Sequence, residues 1–135
     1  MQITKQADYA LRAMRFLASL EPGQRAATSF IAREEQIPPS FLAKIVSQLS
    51  IAGLINTSRG ARGGVSLSRP SADISILEVV EAIDGPITLN ECTLHPDACA
   101  FGDDCPIRPI WQESQVELVN RLKNTSFESL LKAAG

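Results

Sequence analysis

Along most of this chain apolar residues recur every three or four positions, and in one short region that period gives way to alternation. Ala7, Ala10, Leu11, Met14, Leu17 and Ala18 keep helical spacing and predict a helix over residues 5–20, with Thr4 as its N-cap. "EPGQ" at 21–24 supplies the Pro and Gly that end it. A second, shorter helix is expected after Thr28, with Phe30 and Ile31 turned inward and "IPPS" at 37–40 as its breaker. A third runs from about Ser40 to Ala52. Its apolar face is Phe41, Leu42, Ile45, Val46 and Leu49, and Gly53 stands where a C′ glycine belongs.

Beyond Gly53 the period changes. "LINTS" and "GVSLS" read as two short strands joined by "RGARGG", which makes a glycine-tipped β-hairpin. "SILEVVEAI" at 75–83 opens on a capping box, Ser75 with Glu78, and reads as helix. Residues 85–106 carry Gly, Pro and Cys without periodicity and read as a loop. Helical spacing returns over 107–124 in Ile107, Trp111, Ser114, Leu118 and Leu122, with Ile110 and Val119 beside them. A second capping box, Thr125 with Glu128, is expected to start a short last helix. The expected fold class is mainly α with a small β-hairpin wing: a winged helix-turn-helix plus a long C-terminal dimerisation helix. The expected divisions are a winged helix-turn-helix DNA-binding region at 1–70, a linking helix and loop at 71–91, a cysteine cluster loop at 92–105, and a dimerisation helix with a C-terminal helix at 106–135.

Charge sharpens this picture. A chain of 135 residues is one domain of ordinary size, and its net charge of −2 at first argues against a nucleic-acid partner. The average conceals a division: residues 1–69 hold nine Lys/Arg against four Asp/Glu, +5, and residues 70–135 hold four against eleven, −7. A basic half joined to an acidic half suggests two jobs. Three helices followed by a hairpin is the order in which a winged helix-turn-helix sets its third helix in the major groove of double-stranded DNA. Ser40, Lys44 and Ser47 then lie on the polar face of that helix, where Ser reaches phosphate or a base edge and Lys reaches guanine acceptors or phosphate. The wing offers Arg59, Arg62 and Arg69, and an arginine at such a tip suits a narrow minor groove. The plainer alternative for the wing is a solvated turn. A single module covers little DNA, so a two-fold pair is expected. Ile107, Ile110, Trp111, Leu118 and Leu122 are its candidate seam, against the alternative that they pack within one subunit.

No run of about 18 apolar residues is present to span a membrane. The charged amphipathic start lacks the pattern of a signal peptide, so a cytoplasmic protein with reduced thiols is expected. With one histidine and no glycine-rich phosphate loop ahead of a helix, no catalytic constellation is visible, and an enzyme is not expected.

The candidate chemistry sits in "CTLHPDACAFGDDC", which holds all three cysteines: Cys92, Cys99 and Cys105. Structural zinc sites favour close pairs of cysteines, and these gaps are longer. Iron–sulfur clusters are held by thiolates on wrapping loops, and a non-cysteine ligand is tolerated. Three thiolates leave one position for His95, for Asp97, Asp103 or Asp104, or for Asp8 from the first helix. A metal-free redox switch, a zinc site and a redox or metal-transfer protein remain alternatives.

Taken together, "MQITKQADYALRAM", "PPSFLAKIVSQLSIAGLI", "RGARGGVSLSRP", "ISILEVVEAIDGP" and the three ordered cysteines resemble the Rrf-type family of bacterial transcription regulators across nearly the whole chain. That resemblance implies a homodimeric winged-helix regulator, most simply a repressor, that senses nitric oxide, redox state or iron. It implies an iron–sulfur cluster, 2Fe–2S or 4Fe–4S, on Cys92, Cys99 and Cys105. Within the family, IscR-like members carry a histidine three residues beyond the third cysteine, where this chain has Arg108. NsrR-like members carry an aspartate in the first helix that reaches the partner's cluster, and Asp8 in "ADYALR" matches it. The ligand pattern is therefore closest to NsrR, with Asp8 from the partner subunit as the implied fourth ligand and His95 as its alternative.

Overall fold

The computed structural model describes residues 2–61, 63–89 and 105–134. Helix α1 (Lys5–Ala18) starts where its cap predicts: the Thr4 hydroxyl accepts a hydrogen bond from the Ala7 N–H at 3.1 Å. It stops at Ala18, two residues short of the expected end, where the Ser19 hydroxyl turns back to the Phe16 carbonyl. Helix α2 (Thr28–Glu34) and helix α3 (Pro39–Ile51) follow, the second with Pro in its first turn. Gln36, at φ 54°, makes the turn between them. Gly53 closes α3 at φ 77°, the left-handed conformation that Gly adopts without a Cβ penalty.

Strands β1 (Ile55–Ser58) and β2 (Gly64–Leu67) form the expected hairpin, antiparallel, with Ile55 opposite Leu67 and Ser58 opposite Gly64. Val65 also exchanges two backbone hydrogen bonds with Ala26, at 2.9 and 3.0 Å, so the wing is fastened to the segment ahead of α2. That fastening requires Gly64. A Cβ there would stand 2.5 Å from the Ala26 carbonyl oxygen, and the residue has φ +147°. A single turn of 3₁₀ helix at Ser71–Asp73 leads to α4 (Ile76–Asp84), whose capping box is complete: Ser75 accepts from the Glu78 N–H, and Glu78 accepts from the Ser75 N–H. Helices α5 (Arg108–Lys123) and α6 (Phe127–Ala134) end the chain.

The main core gathers Ala10, Met14 and Leu17 of α1, Ile31 of α2, Leu42, Ile45 and Leu49 of α3, and Val65 of the wing. Ile74, Val79 of α4 and Phe127 of α6 complete it, so the C-terminal helix seals the same core as the recognition region. A second cluster, Leu77, Val80 and Ile87, is covered by Leu118, Val119 and Leu122 of α5 and touched by Leu11 of α1.

Three expectations are corrected. Phe30 is 41% exposed: the seven-residue α2 fills its inner face with Ile31 and Ala32, and Phe30 lies over Phe16 at 5.8 Å with Arg33 above it. Phe41 is 42% exposed rather than core, resting on the Tyr9 ring at 5.9 Å. The last helix begins after Ser126, whose hydroxyl accepts from the Ser129 N–H; Thr125 bonds back to Arg121 instead of capping.

Candidate nucleic-acid interface and cysteine site

The core fixes which side of α3 is left for a ligand. Leu42, Ile45 and Leu49 are buried, and Ser40, Lys44 and Ser47 are exposed, spaced four and three residues apart on one polar face. Phe41 joins the exposed surface at the start of this helix. Arg59 is exposed at the end of β1, where the chain turns through Gly60 and Gly63. A Cβ on Gly63 would collide with the Ser58 carbonyl, so this turn is too tight for any other residue. Arg62 lies outside the described residues.

Arg69 is engaged within its own chain. Its guanidinium donates to Glu78 at 2.8 Å and to the Asp73 carbonyl at 3.2 Å, which ties the foot of the wing to α4. Burial of the Glu78 carboxyl raises its pKa, but the Arg69 hydrogen bond and charge, together with Ser75, outweigh that and hold it below the usual value.

Helix α1 bears on α3 through a stack of aromatic and cationic groups. Arg12 lies over the Tyr9 ring at 5.0 Å, Lys5 at 5.6 Å, and the ring's neighbour is Phe41. Arg12 also donates to the Glu35 carbonyl at the end of α2 and to Asp8 at 2.9 Å. Asp8 is exposed, and such an i,i+4 surface pair contributes only about 0.3–0.5 kcal/mol, so its carboxylate is easily drawn to another partner.

Of the sulfur donors, Cys105 is described: a free, half-exposed thiol directly ahead of α5. Cys92, His95, Asp97, Cys99, Asp103 and Asp104 lie outside the described residues. Both ends of the cysteine-bearing segment are held to α5. The Leu89 N–H donates to the Gln115 side chain at 3.1 Å, and the Cys105 carbonyl accepts from the Arg108 N–H at 3.3 Å. Arg108 is itself buried, a cation one turn from a thiol. The donor chemistry fits an iron–sulfur group: a free, half-exposed thiol at the end of the segment and two further cysteines in the same stretch. Among the described residues no three metal-ligating side chains converge.

On α5, Leu118 and Leu122 cover the second cluster of their own chain. Trp111 is seven residues ahead of Leu118 and shares its face of the helix, but is 39% exposed; Ile107 and Ile110 are 55% and 57% exposed. The apolar stripe thus continues past the end of its own support. Val116, 59% exposed, adds to the uncovered surface and was not singled out by spacing. No described helix is long and apolar enough to cross a membrane.

A helix-turn-helix with a glycine-tipped wing and an exposed polar recognition face defines the class, that of DNA-binding transcriptional regulators. The chain belongs to the Rrf2 family, whose model, described as an iron-dependent transcriptional regulator, matches residues 3–133. It is 31% identical over 134 residues to a Mycobacterium tuberculosis protein named as an HTH-type transcriptional regulator, covering 99% of this chain and 83% of that one. Among solved structures it is similar to CymR, named as the global cysteine regulator of B. subtilis, with a TM-score of 0.84 and 25% identity over 98% of each chain. It is also similar in fold to IscR of T. potens, with a TM-score of 0.80 and 21% identity over 100% of this chain and 89% of that one.

Proposed function

We propose that this chain acts as a homodimeric repressor that reads operator DNA with α3 and the wing, and whose DNA affinity is set by an iron–sulfur cluster on Cys92, Cys99 and Cys105. Asp8 of the second protomer is the fourth ligand in this reading, with His95 as its alternative, and the signal is nitric oxide, redox state or iron. When bound, the cluster supplies a thiolate-held centre with one exchangeable position. The observation that carries the reading is the continuous packing from the cysteine segment to the DNA face. Both ends of the segment are fastened to α5, α5 covers α4, and α1 packs on both α4 and α3. Ser40, Lys44 and Ser47 contact the major groove, and Arg59 and Arg62 follow the backbone or minor groove. Arg69 supports the wing from its foot. Ile107, Ile110 and Trp111 are the parts of α5 left for a second copy.

The absorbance, iron and sulfide content of protein purified without oxygen test this, together with operator binding of Cys92→Ala, Cys99→Ala and Cys105→Ala. The reading expects a brown protein absorbing near about 400 nm, with iron and sulfide lost in each variant. The likeness to CymR favours a second reading, a thiol- or zinc-dependent regulator of the same fold. A colourless protein whose operator affinity follows thiol oxidation, or one zinc per chain, would select it.

A further inference from the structure

We propose that Asp84 is a positioning residue that couples the cysteine-bearing segment to helix α1; for its effect on sensing this rests on the reading above. Asp84 is the last residue of α4, and Gly85 opens the stretch that leads to the cysteine-bearing segment. Its carboxylate accepts from the Thr4 N–H at 3.2 Å and from the Thr4 hydroxyl at 2.5 Å, across 80 positions of sequence.

Three observations set this contact apart from ordinary capping. Thr4 already caps α1 by accepting from Ala7, so the N-terminus needs no second group. A carboxylate at the end of α4 faces the negative pole of its own helix, an unfavourable place, and no basic residue shares that last turn. The position becomes favourable only because Asp84 reaches the positive pole of α1. Finally, Thr4 is the N-cap of α1, and Asp8 and Leu11, three residues apart, share one face of the helix that follows it. Thr4 meets Asp84, and Leu11 meets the cluster of Leu77, Val80 and Ile87 at the root of the segment. Asp8, between them, hydrogen-bonds through its N–H to the Thr4 carbonyl at 3.0 Å. Any shift of the segment's root therefore moves the turn of α1 that presents Asp8, and through Tyr9 it moves the ring against Phe41.

The test compares wild type, Asp84→Ala and Thr4→Ser by amide hydrogen exchange of the metal-free protein, and by the ratio of operator affinities with and without reconstituted iron and sulfide. Asp84→Ala is expected to speed exchange at Ala7 and Asp8 about fivefold, the loss of one hydrogen bond's worth of local protection. It should also alter the visible circular dichroism of the reconstituted protein and reduce the affinity ratio to less than about a third, with iron content retained. Thr4→Ser keeps both donors and should behave as wild type. Unchanged exchange, dichroism and affinity ratio in Asp84→Ala overturn the proposal. If wild type takes up no iron, the cluster reading fails separately, and exchange in the metal-free protein still decides whether Asp84 holds α1.

Discussion

In the proposed reading, Lys44 is the residue on which direct reading of DNA most depends, since it is exposed, cationic and central on the polar face of α3. Lys44→Ala is expected to weaken operator binding by about 1–3 kcal/mol and to lower the salt slope by about one, as measured by fluorescence anisotropy over a salt series. Glu78 shows the same economy in folding, because one carboxylate completes a capping box and receives Arg69 from the wing. Its folded pKa lies below the ordinary 4.5, so its contribution is present above that value and is lost as pH falls through the lower, folded one. Thermal stability should therefore drop as pH is lowered from about 5 toward 3, with a shallower drop in Glu78→Gln. Identical pH profiles for the two proteins would remove Glu78 from that role.

At the scale of elements, the wing depends on a close approach of backbones. Gly64→Ala puts a methyl group against the Ala26 carbonyl at a φ that L-residues avoid, and should cost about 2–3 kcal/mol in denaturant unfolding. Operator affinity should fall with it, since Arg59 loses its support. Elements with local signals were legible in the sequence: Thr4, the pair Ser75 and Glu78, Gly53 and the strand alternation all act within four residues. Phe30 was misplaced because the seven-residue α2 offers too few turns for periodicity to tell an inner face from a shoulder, and Phe41 because it stands in the first turn of α3, at the edge of the apolar face, where it rests on Tyr9. Thr125 and Ser126 are adjacent residues of capping type, and it is Ser126, paired with Ser75 across the fold, that caps. Arg108 gave no sign of burial, since an arginine at a helix start ordinarily reads as solvated. The Thr4–Asp84 contact spans the length of the recognition region and leaves no mark on sequence spacing. In α5 the spacing of Trp111, Leu118 and Leu122 was right, but one stripe meets two environments, which periodicity does not separate.

For the whole molecule, the exposed start of α5 has to be covered for the proposed dimer to form. Trp111→Glu should give monomers by sedimentation at micromolar concentration, with thermal stability of the fold changed by less than about 0.5 kcal/mol, because the residue is not part of the described core. A dimer undisturbed by that charge would place the seam elsewhere. In the proposed reading, the basic amino-terminal half and the acidic carboxy-terminal half that carries the cysteines act as one device, in which chemistry at the segment 92–105 alters the spacing of two DNA-reading faces. The most direct test is the operator affinity of a single oxygen-free preparation before and after its iron is removed. A coupling of about 2–3 kcal/mol predicts a change of about 30- to 150-fold. Affinities that agree within about twofold, well under 1 kcal/mol, would contradict the account.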